Sequence, residues 1–461
     1  MVRSNLTLTT LTTGLGFLLV QLDVSIVNVA LASIGRNLQV GIAVLQWTVD
    51  AYAITFASLL LSAGALGDRL GSRRVFVGGL WLFLVGSLGC ALAPGAATLI
   101  AARAVQGIGA ATLVPCSLAL LNQAARDDAH IRARAISLWT AAGSVGLALG
   151  PVLGGALIAA IGWRGVFAIN LPIVAAAIWL TSRHVDEAAV HDGGADRSGQ
   201  ALAILSLFLI AGAVIEAGPL GWSSPVVWGG IAAAAVAFAG LVAVERRAAR
   251  PMLPLGLFAH PTFSAATCVG FLLNLALYGA LFVLGLYFQQ THHLSPWRSG
   301  LALLPFALAI FAANVAAGRL AGLASPRIIM TAGLALASIG TWLLRDIGPT
   351  TPYGMILPGL VLLPLGIGLA VPMMTAALLA TVPRSRAGVG SGVLNAARQA
   401  GGAIGVALFG ALMAGGGSGT ASAFVAASVV LASAAAVAAG FIGTDRLAMF
   451  GRTARRVAGR G

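Results

Sequence analysis

Four ionisable residues lie deep inside long apolar runs of this 461-residue chain: Asp23, Asp50, Arg103 and Arg398. A charge within the hydrocarbon of a bilayer costs several kcal/mol, so such residues are expected to take part in moving ions, protons or ligands. Glu216 and Glu245 also interrupt apolar runs, but near the ends of those runs. There a long side chain is expected to reach the polar boundary.

Asp23 and Arg103 are expected at similar depths. If the run 9–33 is helical, Asp23 lies roughly 21 Å along it, and Arg103 lies roughly 27 Å from the same side in the run 97–121. An arginine neighbour favours the ionised carboxylate, whereas burial favours the neutral acid. A carboxyl group under both influences can exchange a proton as its surroundings change. The pair is therefore a candidate for proton coupling, with a static ion pair that orients two helices as the alternative.

Asp50 is a weaker candidate for the same role, because its position in the second run also fits a site at the membrane interface.

The composition itself requires a membrane. Hydrophobic residues make up 59% of the chain and charged residues 9%, against about 25% charged in soluble domains. The net charge of +14 is scattered in ones, twos and threes, so it forms no basic face for nucleic acid.

Fourteen runs have about the 20 residues needed to cross a bilayer. They lie near 9–33, 44–66, 73–93, 97–121, 132–161, 163–182, 199–217, 224–246, 261–289, 296–320, 326–345, 353–381, 388–414 and 420–442. With the N-terminus inside, 21 of the 27 arginines fall in cytoplasmic segments and 4 in outer ones, as the positive-inside rule requires. The sequence predicts an all-α multi-pass protein of the cytoplasmic (inner or plasma) membrane with both termini cytoplasmic.

Two features of the first half recur in the second. Gly64–Arg74 is echoed by Gly318–Arg327, and Gly107-Ile-Gly109 with Pro115 by Gly366-Ile-Gly368 with Pro372. Internal repetition is typical of transporters, although glycine-rich apolar sequence also matches itself by chance. We predict two six-helix halves with inverted repeats plus two extra central helices. The expected divisions are a first half at 1–182, a linker and two additional helices at 183–260, a second half at 261–445 and a short basic cytoplasmic tail at 446–461.

The fifth span carries closely spaced small residues and one proline: Gly143, Gly146, Gly150, Pro151, Gly154 and Gly155. Glycines three and four apart let another backbone approach closely, and the proline removes one helix hydrogen bond. This strip suits a helix that rocks against a partner, and it suits tight static packing equally.

Between the second and third spans lies a short polar loop: Gly64, Gly67, Asp68, Arg69, Gly71, Arg73 and Arg74. Asp68 is expected to accept hydrogen bonds from a helix N-terminus and so to latch one conformation.

These segments resemble motifs of the major facilitator superfamily and, within it, of the fourteen-helix drug–proton antiporter family. The matching segments are Leu22–Leu31 in the first helix, the loop Gly64–Arg74, Arg103–Ala111 in the fourth helix, Gly146–Gly155 in the fifth, Trp163–Pro172 and Asn395–Gly402. The resemblance covers nearly the whole chain. In that family the fifth-helix motif separates exporters from uptake members, and the fourth-helix motif is tied to proton transfer.

The resemblance implies a proton-coupled antiporter, not an enzyme, that exports amphiphilic drugs, antibiotics or dyes by alternating access. It implies that Asp23 and Arg103 couple protons and that Gly150 and Pro151 form a hinge with Asp68 as a gate. Gln106, Asn28, Arg398 and Gln399, which lie in these motifs, are expected to line the substrate cavity. Ala32 replaces the family's usual proline, which predicts a straighter end of the first helix.

The expected partners are a small-molecule substrate, protons and the lipid bilayer, without nucleic acid, cofactor or metal, in a functional monomer. Proton-coupled uptake is the alternative within transport, and the fifth-span glycine–proline strip argues against it. The alternative outside transport is a membrane enzyme or sensor. It would need clustered catalytic residues or a soluble output domain, and the sequence indicates neither. The sequence also predicts neutral or singly charged substrates, because the second half offers its side of the cavity no carboxylate.

Overall fold

The computed structural model describes residues 2–125, 129–186, 197–248, 253, 255–321, 323–382, 387–414 and 419–442. These residues are almost entirely helical. The helices are α1 (Val2–Leu38), α2 (Ile42–Leu70), α3 (Ser72–Ala91), α4 (Ala96–Ala124), α5 (Ala129–Ile161), α6 (Gly165–Ala168), α7 (Asn170–His184), α8 (Arg197–Leu220), α9 (Pro225–Arg247), α10 (Pro261–Leu286), α11 (Pro296–Ala302), α12 (Leu304–Leu320), α13 (Pro326–Leu343), α14 (Tyr353–Leu379), α15 (Ala387–Ala414) and α16 (Gly419–Phe441). A 3₁₀ turn, Leu255–Ala259, precedes α10, and a π-helical turn, Tyr287–Thr291, extends it.

Fourteen stretches of the described helices are long and apolar enough to cross a membrane, as predicted. The helices α6 and α7 together form the sixth of these spans, and α11 and α12 the tenth. The largest error lies in α1, which begins at Val2 rather than near residue 9. The hydroxyl groups of its threonine-rich first turns are satisfied within the helix, as Thr12 Oγ1 donates to the Leu8 carbonyl at 2.7 Å. The helix also continues through Ala32 to Leu38.

An even number of spans brings the start of α1 and the end of α16 to one side of the bundle. We call this side of the bundle the terminal side. The opposite side, where α1 ends, is called the distal side. On the terminal side a single residue, Gly71, joins α2 to α3. Its φ of 94° lies in the left-handed region that favours glycine.

Contacts between the first six and the last six spans include those of α1 with α10, α2 with α15, and α5 with both α11 and α12. The helix α8 packs against both α2 and α15, with the Trp47 ring 5.2 Å from the Phe208 ring. The helix α9 packs on α8 and is the least buried of the candidate spans. The two additional helices therefore lie beside the α2–α15 contact.

The carboxylate of Glu245, at the end of α9, forms a hydrogen bond within the protein. Its side chain is buried, and its Oε2 accepts a hydrogen bond from the Leu253 backbone N–H at 2.9 Å. The carboxylate thus ties the end of α9 to the segment that leads into α10.

Candidate functional site

Asp23 of α1 and Arg103 of α4 form an ion pair, with 2.5 Å between Oδ2 and Nη1. Their side chains are 0% and 1% exposed. The similar depths inferred from the sequence thus correspond to a direct contact. Removing one member of such a buried pair leaves an uncompensated charge, at a cost of about 3–5 kcal/mol.

The Arg103 guanidinium is held from several directions. Its Nε donates to the Thr48 carbonyl of α2 at 3.1 Å, and its Nη1 also donates to Gln106 Oε1 at 2.9 Å. The guanidinium carbon lies 4.4 Å from the centre of the Tyr52 ring, within the range of a cation–π contact. Arg103 therefore links α1, α2 and α4 through one charge.

The second carboxylate oxygen of Asp23 accepts hydrogen bonds from two amides. Asn170 Nδ2 of α7 lies 3.1 Å from Oδ1, and Gln106 Nε2 lies 3.3 Å from it. Gln106 also donates to Ser87 Oγ of α3 at 2.7 Å. The sequence interpretation missed Ser87 and Asn170. Asn170 could have been found, because it lies in the motif-like segment Trp163–Pro172. Nothing in the sequence distinguishes Ser87 from other small polar residues in apolar spans.

Asp50 lies apart from this network. It is 0% exposed, and neither carboxylate oxygen has a hydrogen-bond partner. On its face of α2, Gln46 contacts Ala407 of α15, and Ile54 packs with Ala211 of α8. Asp50 is therefore a buried carboxylate on the face of α2 that packs against α8 and α15.

A cavity lies between the first six and the last six spans. It is lined by Val24, Val27, Asn28, Val49, Tyr52, Ala53, Arg103, Tyr278, Gln399, Gly402 and Val406. Of the expected cavity residues, Asn28 and Gln399 are in the wall. Gln106 lies behind Arg103 and is fully buried, and Arg398 stands half-buried next to the lining residue Gln399. Because Arg103 is in the wall, a molecule in the cavity would contact the arginine of the ion pair.

The glycines of α5 permit a close contact with α1. A Cβ at Gly146 would lie 2.5 Å from the Leu18 carbonyl oxygen, and one at Gly150 would lie 2.7 Å from Ser25 Cβ. Gly154 faces α1 in the same way. The strip therefore does allow a second backbone to approach, as its spacing predicts.

At the distal end of α5 the strip turns to the other half of the chain. A Cβ at Gly155 would lie 2.6 Å from the Pro296 carbonyl oxygen and 3.0 Å from Trp297 Cα, both in α11. Pro151 meets Gly300 of α11 through its carbonyl. The same helix thus contacts α1 within its own half and α11 across the interface.

Two glutamine amides also cross this interface on the distal side. Gln46 Nε2 of α2 donates to the Ala407 carbonyl of α15 at 2.6 Å. Gln289 Nε2, just after α10, donates to the Val29 carbonyl of α1 at 2.6 Å. The sequence interpretation gave neither glutamine a role.

The segment Gly64–Arg74, which comprises the end of α2, the joining residue Gly71 and the start of α3, is packed at its glycines. Gly64 faces Pro115 of α4, and a Cβ at Gly67 would lie 2.8 Å from Cys116 Sγ. Arg73 Nη2 donates to the Ser182 carbonyl at 2.6 Å, which ties α3 to α7. Arg69 and Arg74 are exposed. The side chain of Asp68 lies outside the described residues.

Residues 13–406 and 266–457 match the family model of the Major Facilitator Superfamily. The chain belongs to this superfamily of membrane transporters. It is 40% identical over 415 residues to the methylenomycin A resistance protein of Streptomyces coelicolor, covering 89% of this chain and 86% of that protein. It is 38% identical over 408 residues to the multidrug resistance protein Stp of Mycobacterium tuberculosis, covering 88% and 76%.

A solved D-xylose–proton symporter has the same fold. The TM-score is 0.70 at 15% identity, over 95% of this chain and 98% of that one. The protein is thus a multi-pass membrane transporter with the superfamily fold, and its curated relatives are drug and antibiotic resistance proteins.

Proposed function

We propose that this protein exports small amphiphilic organic compounds, such as drugs, antibiotics or dyes, in exchange for protons. The relatives named for resistance to methylenomycin A and to multiple drugs support export of such compounds. Proton exchange rests on the Asp23–Arg103 pair, the one observation that carries the mechanism.

The pair connects proton binding to the cavity. A proton that binds Asp23 Oδ2 neutralises the carboxylate, and the Arg103 guanidinium loses its counter-charge. Because Arg103 is part of the cavity wall, its release changes the site that a substrate meets. When the proton leaves, the ion pair forms again. Asp50 is the second candidate for proton binding, since an ionised carboxylate without a partner is costly in a buried site.

The proposed cycle is alternating access between two halves, at 1–182 and 261–445. We infer that the terminal side faces the cytoplasm, because it carries most of the arginines. The contacts of Gln46, Gln289 and Gly155 then close the outer side, and the cavity in this conformation serves the cytoplasm. The outer side opens when α5 separates from α11, with Gly150 and Pro151 as the hinge. The loop Gly64–Arg74 closes the cytoplasmic side in turn.

The decisive experiment is Asp23→Asn in inverted membrane vesicles energised by a proton gradient. We expect proton-driven uptake of the neutral dye Nile red to be lost while the protein still inserts and accumulates. Asp346→Asn is the matched control, because Asp346 is 74% exposed and should transport normally. Full proton-linked transport by Asp23→Asn would overturn the coupling role and leave Asp50 as the remaining candidate.

A further inference from the structure

Arg398 is a membrane-embedded cation without a counter-charge. It lies about 15 Å into its span at 1.5 Å per residue, and it forms no ion pair with any residue that the structure describes. Its Nε is buried and has no hydrogen-bond partner. Arg103, the other arginine inside a span, has both an ion pair and hydrogen bonds. The two arginines thus differ in what neutralises them.

Among the residues that the structure describes, no acidic side chain pairs with Arg398. Between Glu245 and Asp445 the sequence contains one acidic residue, Asp346. That residue pairs with Arg345 at 2.9 Å and is 74% exposed. On the neighbouring α2, Asp50 is buried without a hydrogen-bond partner, so it does not supply the missing charge either. A guanidinium at this depth is costly without a partner.

Arg398 borders the cavity. On an α-helix of 3.6 residues per turn, it lies within about 100° of Gln399, Gly402 and Val406, the α15 residues that line the cavity. Its stem passes Gly270 of α10, where a Cβ would lie 3.2 Å from Arg398 Cγ. Tyr278, another lining residue, lies on the same helix as Gly270.

We propose that the substrate supplies this counter-charge, so that the cavity prefers amphiphiles carrying one anionic group, above all a carboxylate. This inference rests on the proposed export function and specifies the charge of its substrate. A guanidinium binds a carboxylate through two parallel hydrogen bonds. The Gln399 amide and the Tyr278 hydroxyl are neutral donors on the same wall, and no acidic side chain is among the described lining residues. The apolar part of the substrate would lie against Val24, Val49 and Val406.

The test compares a carboxylate with its amide. Purified protein in nanodiscs at neutral pH is titrated with tritiated 1-naphthylacetate and 1-naphthylacetamide, which differ in charge and little in shape. We expect the carboxylate to bind at least tenfold more tightly to the wild type. Arg398→Gln should abolish this difference and Arg398→Lys should keep part of it. Arg345→Gln, which removes an arginine that pairs outside the cavity, should keep all of it.

Equal binding of the two probes to the wild type, or an unchanged preference in Arg398→Gln, would overturn the inference. Export of the neutral dye Nile red in energised inverted vesicles separates this result from the wider proposal. We expect Arg345→Gln to export Nile red as the wild type does, and a single cooperative unfolding transition in detergent shows that Arg398→Gln is folded. If the wild type exports Nile red but has no carboxylate preference, the inference fails and export stands. If the wild type does not export Nile red, the proposed function itself fails.

Discussion

Gln46 of α2 donates a hydrogen bond to the main-chain carbonyl of Ala407 in α15, across the interface between the two groups of six spans. Gln289 makes the reciprocal contact from the other group, to the carbonyl of Val29. Both side chains are buried, at 1% and 2% exposure. Each group thus donates one amide to the backbone of the other on the distal side. The two bonds stabilise the closed distal side without depending on the side chain of the acceptor residue.

Replacing both glutamines by leucine should open the distal side more often. Each hydrogen bond contributes about 0.5–1.5 kcal/mol, so the double variant should shift the equilibrium by about 1–3 kcal/mol if the distant sites add. Spin labels at Arg36 and His293, both exposed at distal helix ends, measure the separation in a background without native cysteines. We expect the population of long distances between the labels to rise.

Gln290→Leu is the matched control, because Gln290 is the exposed neighbour of Gln289. It should leave the distribution of distances unchanged. An unaltered distribution in Gln46→Leu/Gln289→Leu would show that backbone packing alone, at Gly155 and Gly300, holds the distal side closed.

Gly150→Ala should destabilise the protein and slow transport. The new methyl group would lie 2.7 Å from Ser25 Cβ and 3.0 Å from the Ile26 backbone nitrogen, so α1 and α5 must move apart. Overpacking of this kind costs about 1–3 kcal/mol. The checks are the midpoint of thermal unfolding in detergent and the rate of dye transport in vesicles.

A double variant shows whether this contact is the cause. Ser25→Gly removes the nearest side chain, so Gly150→Ala should cost less stability in that background than in the wild type. Gly78→Ala should be tolerated, because nothing lies within 4 Å of its Cβ position. Equal costs of Gly150→Ala in both backgrounds would exclude the Ser25 contact as the reason.

The spans and the main ion pair were accessible from the sequence because both follow from local rules. Apolar length predicts a span wherever it begins, and two opposite charges at equal depth in neighbouring helices have few other partners. Apolar length alone does not show where a helix ends, and α1 continues beyond its apolar run from Val2 to Leu38.

The contacts that the sequence did not predict depend on which helix faces pack against each other. Gln46 contacts α15, and Asp50 lies on the face of α2 that packs against α8. Neither α8 nor α15 is near α2 in the sequence.

The repeated Gly-Ile-Gly segments show a similar limit. Gly107 packs on α2 and Gly109 on α3, whereas Gly366 packs on α13 and Gly368 on α12. Both pairs therefore sit between the two preceding spans, but the order of contacts is exchanged, which sequence similarity alone does not reveal.

Reporter fusions should place both termini in the cytoplasm. Fusions at Gly193 and Thr444 are expected to report the cytoplasm, and fusions at Gly221 and Gly417 the outside, because the arginine-rich segments stay inside. An alkaline phosphatase and green fluorescent protein pair at each site gives opposite signals and so serves as its own control. A cytoplasmic signal at Gly221 would remove α8 and α9 from the membrane.

Divalent cations should be poor substrates. The described cavity wall contains the cation Arg103 and no carboxylate, and Asp23 behind it is already paired. A dication that loses its water in the cavity would need counter-charges to offset a cost of several kcal/mol per ion. If Asp23 must also carry the proton, Asp50 is the one other candidate carboxylate, and it lies on the face of α2 that packs against α8 and α15.

Ethidium and propidium share one aromatic core, and they carry one and two positive charges, respectively. In energised inverted vesicles we expect ethidium to accumulate at least tenfold faster than propidium. Efficient propidium transport by Asp50→Asn would show that the cavity balances two charges without this carboxylate, and the predicted preference would be wrong.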